Sequence, residues 1–234
     1  MLHFLKSLKA FAFPQKKFAR SNFYERLNLV GLEERITPAN FVVSSLADSG
    51  AGSLRQAIID ANTTAGNDQI SFNFSTVSSS YTIMLNSVLP TIVSTSTPIT
   101  GGGTAGTVTI NGLGASSLII SGSDPTNPNN SNRNFNIFHI ASGGNLSISG
   151  VTVSGAQTLQ TQTTFGFGGA FNNSGTLTVT NSTISGNSAN YGGGIFNTGT
   201  LTVTNSEISN NSANYGGGIR NNGTLTVTNS TISG

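Results

Sequence analysis

The sequence predicts an all-β fold, a right-handed parallel β-helix of 24-residue coils with a short N-terminal capping helix. Three observations lead there. Gly175–Thr198 (GTLTVTNSTISGNSANYGGGIFNT) recurs as Gly199–Asn222 (GTLTVTNSEISNNSANYGGGIRNN) and begins again at Gly223, with no insertion or deletion between copies. Within each copy Leu177 and Val179 alternate with Thr176, Thr178 and Thr180, the period-2 mark of a half-buried strand. Charged residues make up only 8% of the 234-residue chain, and Gly is frequent at 29. A chain with so little charge is not kept extended by solvation, so its backbone must be satisfied in hydrogen-bonded sheets.

A 24-residue period fits a leucine-rich repeat or a β-solenoid. The unit's Thr, Ser, Asn and Gly are weak helix formers, which leaves the solenoid. Ile184 and Ile195 mark two further short strands, so three strands and three turns are expected per coil. Residues 24 apart then stack in parallel register, about 4.8 Å from one another. Four inward columns follow: Leu177, Leu201 and Leu225; Val179, Val203 and Val227; Ile184, Ile208 and Ile232; Phe171, Ile195 and Ile219. Asn181, Asn205 and Asn229 are expected to form an amide ladder at a turn. One coil buries too little to fold alone, so stability must come from stacking.

Ahead of the repeat, Ser53-Leu-Arg-Gln56 reads as a capping box. Leu54, Ala57, Ile58 and Ala61 fall on one face of a helix that Gly66 would end. Flanking strands are expected at 41–46 and 69–74, and the helix would close the open end of the core. Residues 76–143 read as irregular early coils, with strands near 81–85, 107–110, 118–121 and 136–140 and a Pro/Asn-rich loop at 124–133. The expected divisions are thus 1–36, a basic leader; 37–75, the cap; 76–143, irregular coils; and 144–234, regular coils stopping in mid-repeat, as in a piece of a longer product.

Charge is divided unevenly. Residues 1–36 hold Lys6, Lys9, Lys16, Lys17, Arg20, Arg26 and Arg35 against Glu25, Glu33 and Glu34. Beyond them stand Arg55, Arg133 and Arg220 against Asp48, Asp60, Asp68, Asp124 and Glu207, so no basic face remains for nucleic acid. Cys is absent, which excludes disulfides and thiolate metal sites. No apolar run is long enough for a membrane-spanning helix.

Three stretches resemble known families. Leu32–Ala39 (LEERITPA) resembles the leader motif of certain large bacterial surface proteins, which implies export. Asp48–Asn62 (DSGAGSLRQAIIDAN) is similar to the N-terminal segment of bacterial β-helix proteins named for a C-S-L-R-E-A stretch, with Gly52 in place of Cys and Gln56 in place of Glu. Gly168–Phe171 (GGAF), Gly192–Ile195 and Gly216–Ile219 (GGGI) resemble the repeats of polymorphic outer membrane proteins. There the companion motif F-x-x-N is replaced by Ile184-Ser-Gly-Asn187 and Ile208-Ser-Asn-Asn211. These resemblances imply a secreted or outer-surface passenger with an adhesive role, its partners surface glycans or a neighbouring cell.

The residues themselves point away from catalysis, so no catalytic, cofactor or metal residue is assigned. Glycosidases need two carboxyl groups across the scissile bond. After residue 140 the only charged side chains are Glu207 and Arg220, each replacing an uncharged residue of the other copies. A carbohydrate-active β-helix, the alternative reading, would require Asp124, Arg133 and His139 to converge with groups outside this chain; His139 is expected to face solvent beside Phe138 and Ile140. Two surface features are candidates for binding. Thr178, Thr202 and Thr226 centre a threonine grid that would order water or ice, although threonine also suits any exposed strand. Phe167, Tyr191 and Tyr215 form an aromatic column that would stack on sugars, or simply pack at a Gly-rich bend.

Overall fold

A computed structural model describes residues 38–93, 106–123, 134–158 and 166–234. The leader, the 124–133 loop with Asp124 and Arg133, and residues 159–165 lie outside the described residues. Strands stack by parallel pairing into four sheets, one strand per sheet from each regular coil. The first sheet runs Asn40–Val43, Asp68–Phe72, Val108–Asn111, Asn145–Ser149, Thr176–Thr180, Thr200–Thr204 and Thr224–Thr228. The second runs Tyr81–Met84, Leu118–Ser121, Thr152–Ser154, Thr183–Ser185, Glu207–Ser209 and Thr231–Ser233. The third holds Phe138–Ile140, Phe171–Asn173, Ile195–Asn197 and Ile219–Asn221; the fourth holds Gln157–Thr158, Ser188–Tyr191 and Ser212–Tyr215. The chain is a right-handed parallel β-helix, the hand that parallel crossovers almost always take.

The register is the one the repeat dictates. Thr178 pairs with Thr202 and Thr202 with Thr226; Val179, Val203 and Val227 stack likewise. All four expected columns form. They extend into the irregular coils: Ile70, Ile110 and Ile148 continue the valine column, and Ile83, Ile120 and Val153 the isoleucine column. Phe138 stacks on Phe171 with ring centroids 5.1 Å apart, and both are fully buried. One expectation is corrected: a regular coil has four strands, not three. Ser188–Tyr191 pairs with Ser212–Tyr215 across a stretch read as a turn. Its inward side chain is only Ala189, which leaves little apolar alternation to read.

The amide ladder exists but in other rows. Asn181, Asn205 and Asn229 are exposed, each with φ 49°, a left-handed conformation that Asn tolerates better than most residues. The ladders are built by Asn173, Asn197 and Asn221, in which Asn173 Nδ2 donates to Asn197 Oδ1 and Asn197 Nδ2 to Asn221 Oδ1, both at 2.6 Å, and by Asn187 and Asn211 at 3.0 Å. Serine makes a third: Ser182 N donates to Ser206 Oγ, and Ser206 N to Ser230 Oγ. These buried polar rows leave no buried side-chain nitrogen or oxygen unpaired among the described residues. At Gly192, φ 66° and a carbonyl from Ile195 in the space of any Cβ require the glycine of each G-G-G bend.

The helix spans Leu54–Thr63 and buries Leu54, Ala57, Ile58 and Ala61 against the first strands of the first sheet. Ser53 caps it, accepting from Gln56 N at 3.2 Å and donating to Gly50 O at 2.7 Å. The reciprocal half of the box is missing, because Gln56 Nε2 donates to Asp60 Oδ1 instead. The helix ends before Gly66, at Thr63, since Thr64 turns extended and its hydroxyl donates to Asp60 O. Arg55 ties the helix to the next coil, pairing with Asp48 at 2.6 Å and donating to the carbonyls of Ser87 and Val88.

Candidate functional site

The outward rows of the first sheet are small and uncharged. Beside Thr176, Thr178 and Thr180 and their equivalents in the next two coils, Asn145, Ser147 and Ser149 stand in register one coil earlier, and Thr109 and Asn111 one coil before that. Thr176, Thr200 and Thr224 are exposed, while Thr178 and Thr202 are half-buried by their row neighbours and Thr226 is exposed. The strand repeat thus produces a regular lattice of hydroxyls, carried on aliphatics that point inward.

The aromatic column also forms. Tyr191 and Tyr215 stack with centroids 5.1 Å apart and an interplanar angle of 10°. Phe167 lies 5.4 Å from Tyr191 on the other side and 4.6 Å from Phe196. Tyr191 is therefore sandwiched, and a ligand meets its edge and hydroxyl rather than a ring face. Tyr215 is 54% exposed.

The charged residues of the regular coils stand apart. Glu207 lies on the second sheet, in register between Thr183 and Thr231; Arg220 lies on the third, opposite Phe196. His139 is half-buried on the third sheet, its Nδ1 3.4 Å from Thr91 Oγ1. Asp68 is 1% exposed at the head of the leucine column, where its Oδ1 accepts from Ala39 N at 3.0 Å. Burial raises its pKa above the ordinary carboxylate range, and the Ala39 hydrogen bond partly opposes that shift. Among the described residues no three His, Asp or Glu side chains group as metal ligands would. No described helix is long and apolar enough to cross a membrane.

One concavity was not anticipated from the sequence. A shallow, wide-open groove of about 470 Å³ follows the corner between the first and second sheets, lined by Ala115, Asn181, Ser182, Thr183, Asn205, Ser206, Glu207 and Asn229. Its origin is a change in corner length. The coils from residue 144 onward turn this corner in two residues, Gly150 and Val151, then Asn181 and Ser182 and their equivalents, whereas the coil before them takes residues 112–117 between Asn111 and Leu118. The longer corner brings Ala115 to the groove's end, and the tight corners make its floor. The signal was present in the sequence as a short Asn-Ser corner following a longer Gly-rich one. Neither a family model, nor a curated protein, nor a solved structure matches the chain.

Proposed function

We propose that this chain is a non-catalytic repeat module of an exported protein, displayed outside the cell or on its outer surface, where its faces meet glycans or a neighbouring surface. The observation that supports this best is the uninterrupted register of the coils. In the described regular coils the inward rows are committed to apolar stacking or to amide and serine ladders, and the outward rows are repetitive, small and almost uncharged. Such a body presents extended, uniform area, the usual asset of solenoid proteins that bind by surface. The groove supports the same reading over a hydrolase, because its lining offers one carboxyl group, Glu207, where glycoside hydrolysis needs two.

Protease treatment of intact cells that make the protein tests the placement. The repeat region should be removed from intact cells while a cytoplasmic marker survives. Digestion only after lysis would end the surface reading.

A further inference from the structure

We infer that the corner groove is a binding site for a linear, neutral polysaccharide lying along the solenoid axis. This names a site and a ligand class for the glycan contact of the proposed function and rests on that part of it; it is independent of where the protein resides, since binding in solution is measured whatever the location.

The floor holds three amides in line, those of Asn181, Asn205 and Asn229, one per coil and about 4.8 Å apart. Their side chains are exposed, and among the described residues none has a hydrogen-bond partner. The adjoining row behaves otherwise. Ser182 and Ser206 each donate the hydroxyl to a carbonyl two residues back, at 2.8 Å, and Ser206 Oγ also accepts the Ser182 N–H. The corner thus divides into one row used up in holding the coils together and one row left to solvent.

Backbone conformation explains why this position is Asn or Gly, but not why it is Asn. At the same corner one coil earlier, Gly150 takes the left-handed conformation with φ 64°. At another corner Gly186 and Asn210 take it interchangeably, with φ 63° and 54°. Where the groove lies, each of the three regular coils supplies an amide.

Glu207 adds the charge. It stands where the neighbouring coils have Thr183 and Thr231, it is exposed, and it has no ion-pair partner among the described residues. A carboxylate accepts two hydroxyl hydrogens from a vicinal diol, while each primary amide donates and accepts. The set matches a chain of hydroxyls that repeats along the groove. With one negative charge and no cation in the lining, acidic polymers are repelled. The lining contains no aromatic ring, so affinity must accumulate from hydrogen bonds along several sugars, and longer oligosaccharides bind better than short ones.

Calorimetric titration of the full chain with cellohexaose, mannohexaose and hexagalacturonate tests this. At least one neutral hexamer is expected to bind more tightly than its trimer, and hexagalacturonate more weakly than either. Two sets of changes are chosen from the repeat's own residues so that the coils persist: Asn181→Gly with Asn205→Gly and Asn229→Gly, and separately Glu207→Thr. Loss of several hydrogen bonds in the triple variant should weaken binding by about tenfold or more. Glu207→Thr should narrow the preference for neutral over acidic hexamers. Asn222→Thr, which restores the Thr198 of the preceding copy at the corner between the third and first sheets, should change nothing. Failure of both neutral hexamers to bind, preference for hexagalacturonate, or unchanged binding in a triple variant with a native circular-dichroism melt would each overturn the assignment.

Discussion

Among the described residues Asp68 is the one acidic side chain turned into the interior, where its register partner Val108 begins a run of aliphatics. With the folded pKa raised, the folded state keeps its proton at pH values where the unfolded chain has lost it. Its contribution is therefore most favourable below the ordinary carboxylate pKa and declines as pH rises through the folded value. Asp68→Asn retains an acceptor for the Ala39 N–H and removes the charge. The variant should have a higher urea midpoint than the wild type at pH 7, and the gap should close as pH is lowered towards 3. An equal gap at both pH values would contradict the burial account. Residue type alone was legible at other polar positions, and role was not. Asn181, Asn187 and Asn197 are alike in sequence, yet one serves a left-handed corner and two serve buried ladders. Both settings select Asn, for backbone tolerance in the first and a two-sided amide in the second. Only the inward or outward direction at each corner separates them.

Elements were readable where apolar spacing was strong and less so where a turn competes with a strand. Leu118–Ser121 forms as expected, and the helix begins where Ser53 predicts. The helix stops early because Thr63 and Thr64 hydroxyls bond back to carbonyls of the last turn, ending it without the glycine. Ser188–Tyr191 escaped notice since sheet pairing with its own copies, rather than side-chain pattern, makes it a strand. The cap itself is testable. Ser53 is fully buried, so Ser53→Ala removes the acceptor for Gln56 N with no water to replace it. The loss should be about 1 kcal/mol. Hydrogen exchange should show it as faster exchange in Ala57 and Ile58, with the amides of Leu201 and Val203 unaltered. Equal acceleration in both regions would mean that the helix and the regular coils open as one unit.

From residue 38 onward the described strands form a one-dimensional stack in which each coil is stabilised by the coils above and below it. The irregular coils keep that rule despite their different lengths, because insertions leave the inward columns in place: Val153 follows Ile120 and precedes Ile184 as if no residues had been added. The isoleucine column makes the rule testable. Ile184 and Ile208 are fully buried, the first stacked between Val153 and Ile208 and the second between Ile184 and Ile232. Truncating either to Ala opens a cavity and should cost about 2–5 kcal/mol. In a nearest-neighbour stack such a loss is felt by the adjoining coil and not by distant ones. Guanidinium denaturation followed by circular dichroism should therefore show Ile184→Ala and Ile208→Ala, one coil apart, to be non-additive. Ile208→Ala with Ile83→Ala, four coils apart in the same column, should add within about 0.5 kcal/mol. Equal coupling in both pairs would refute nearest-neighbour stability, and with it the reason that a coil too small to fold alone is ordered here.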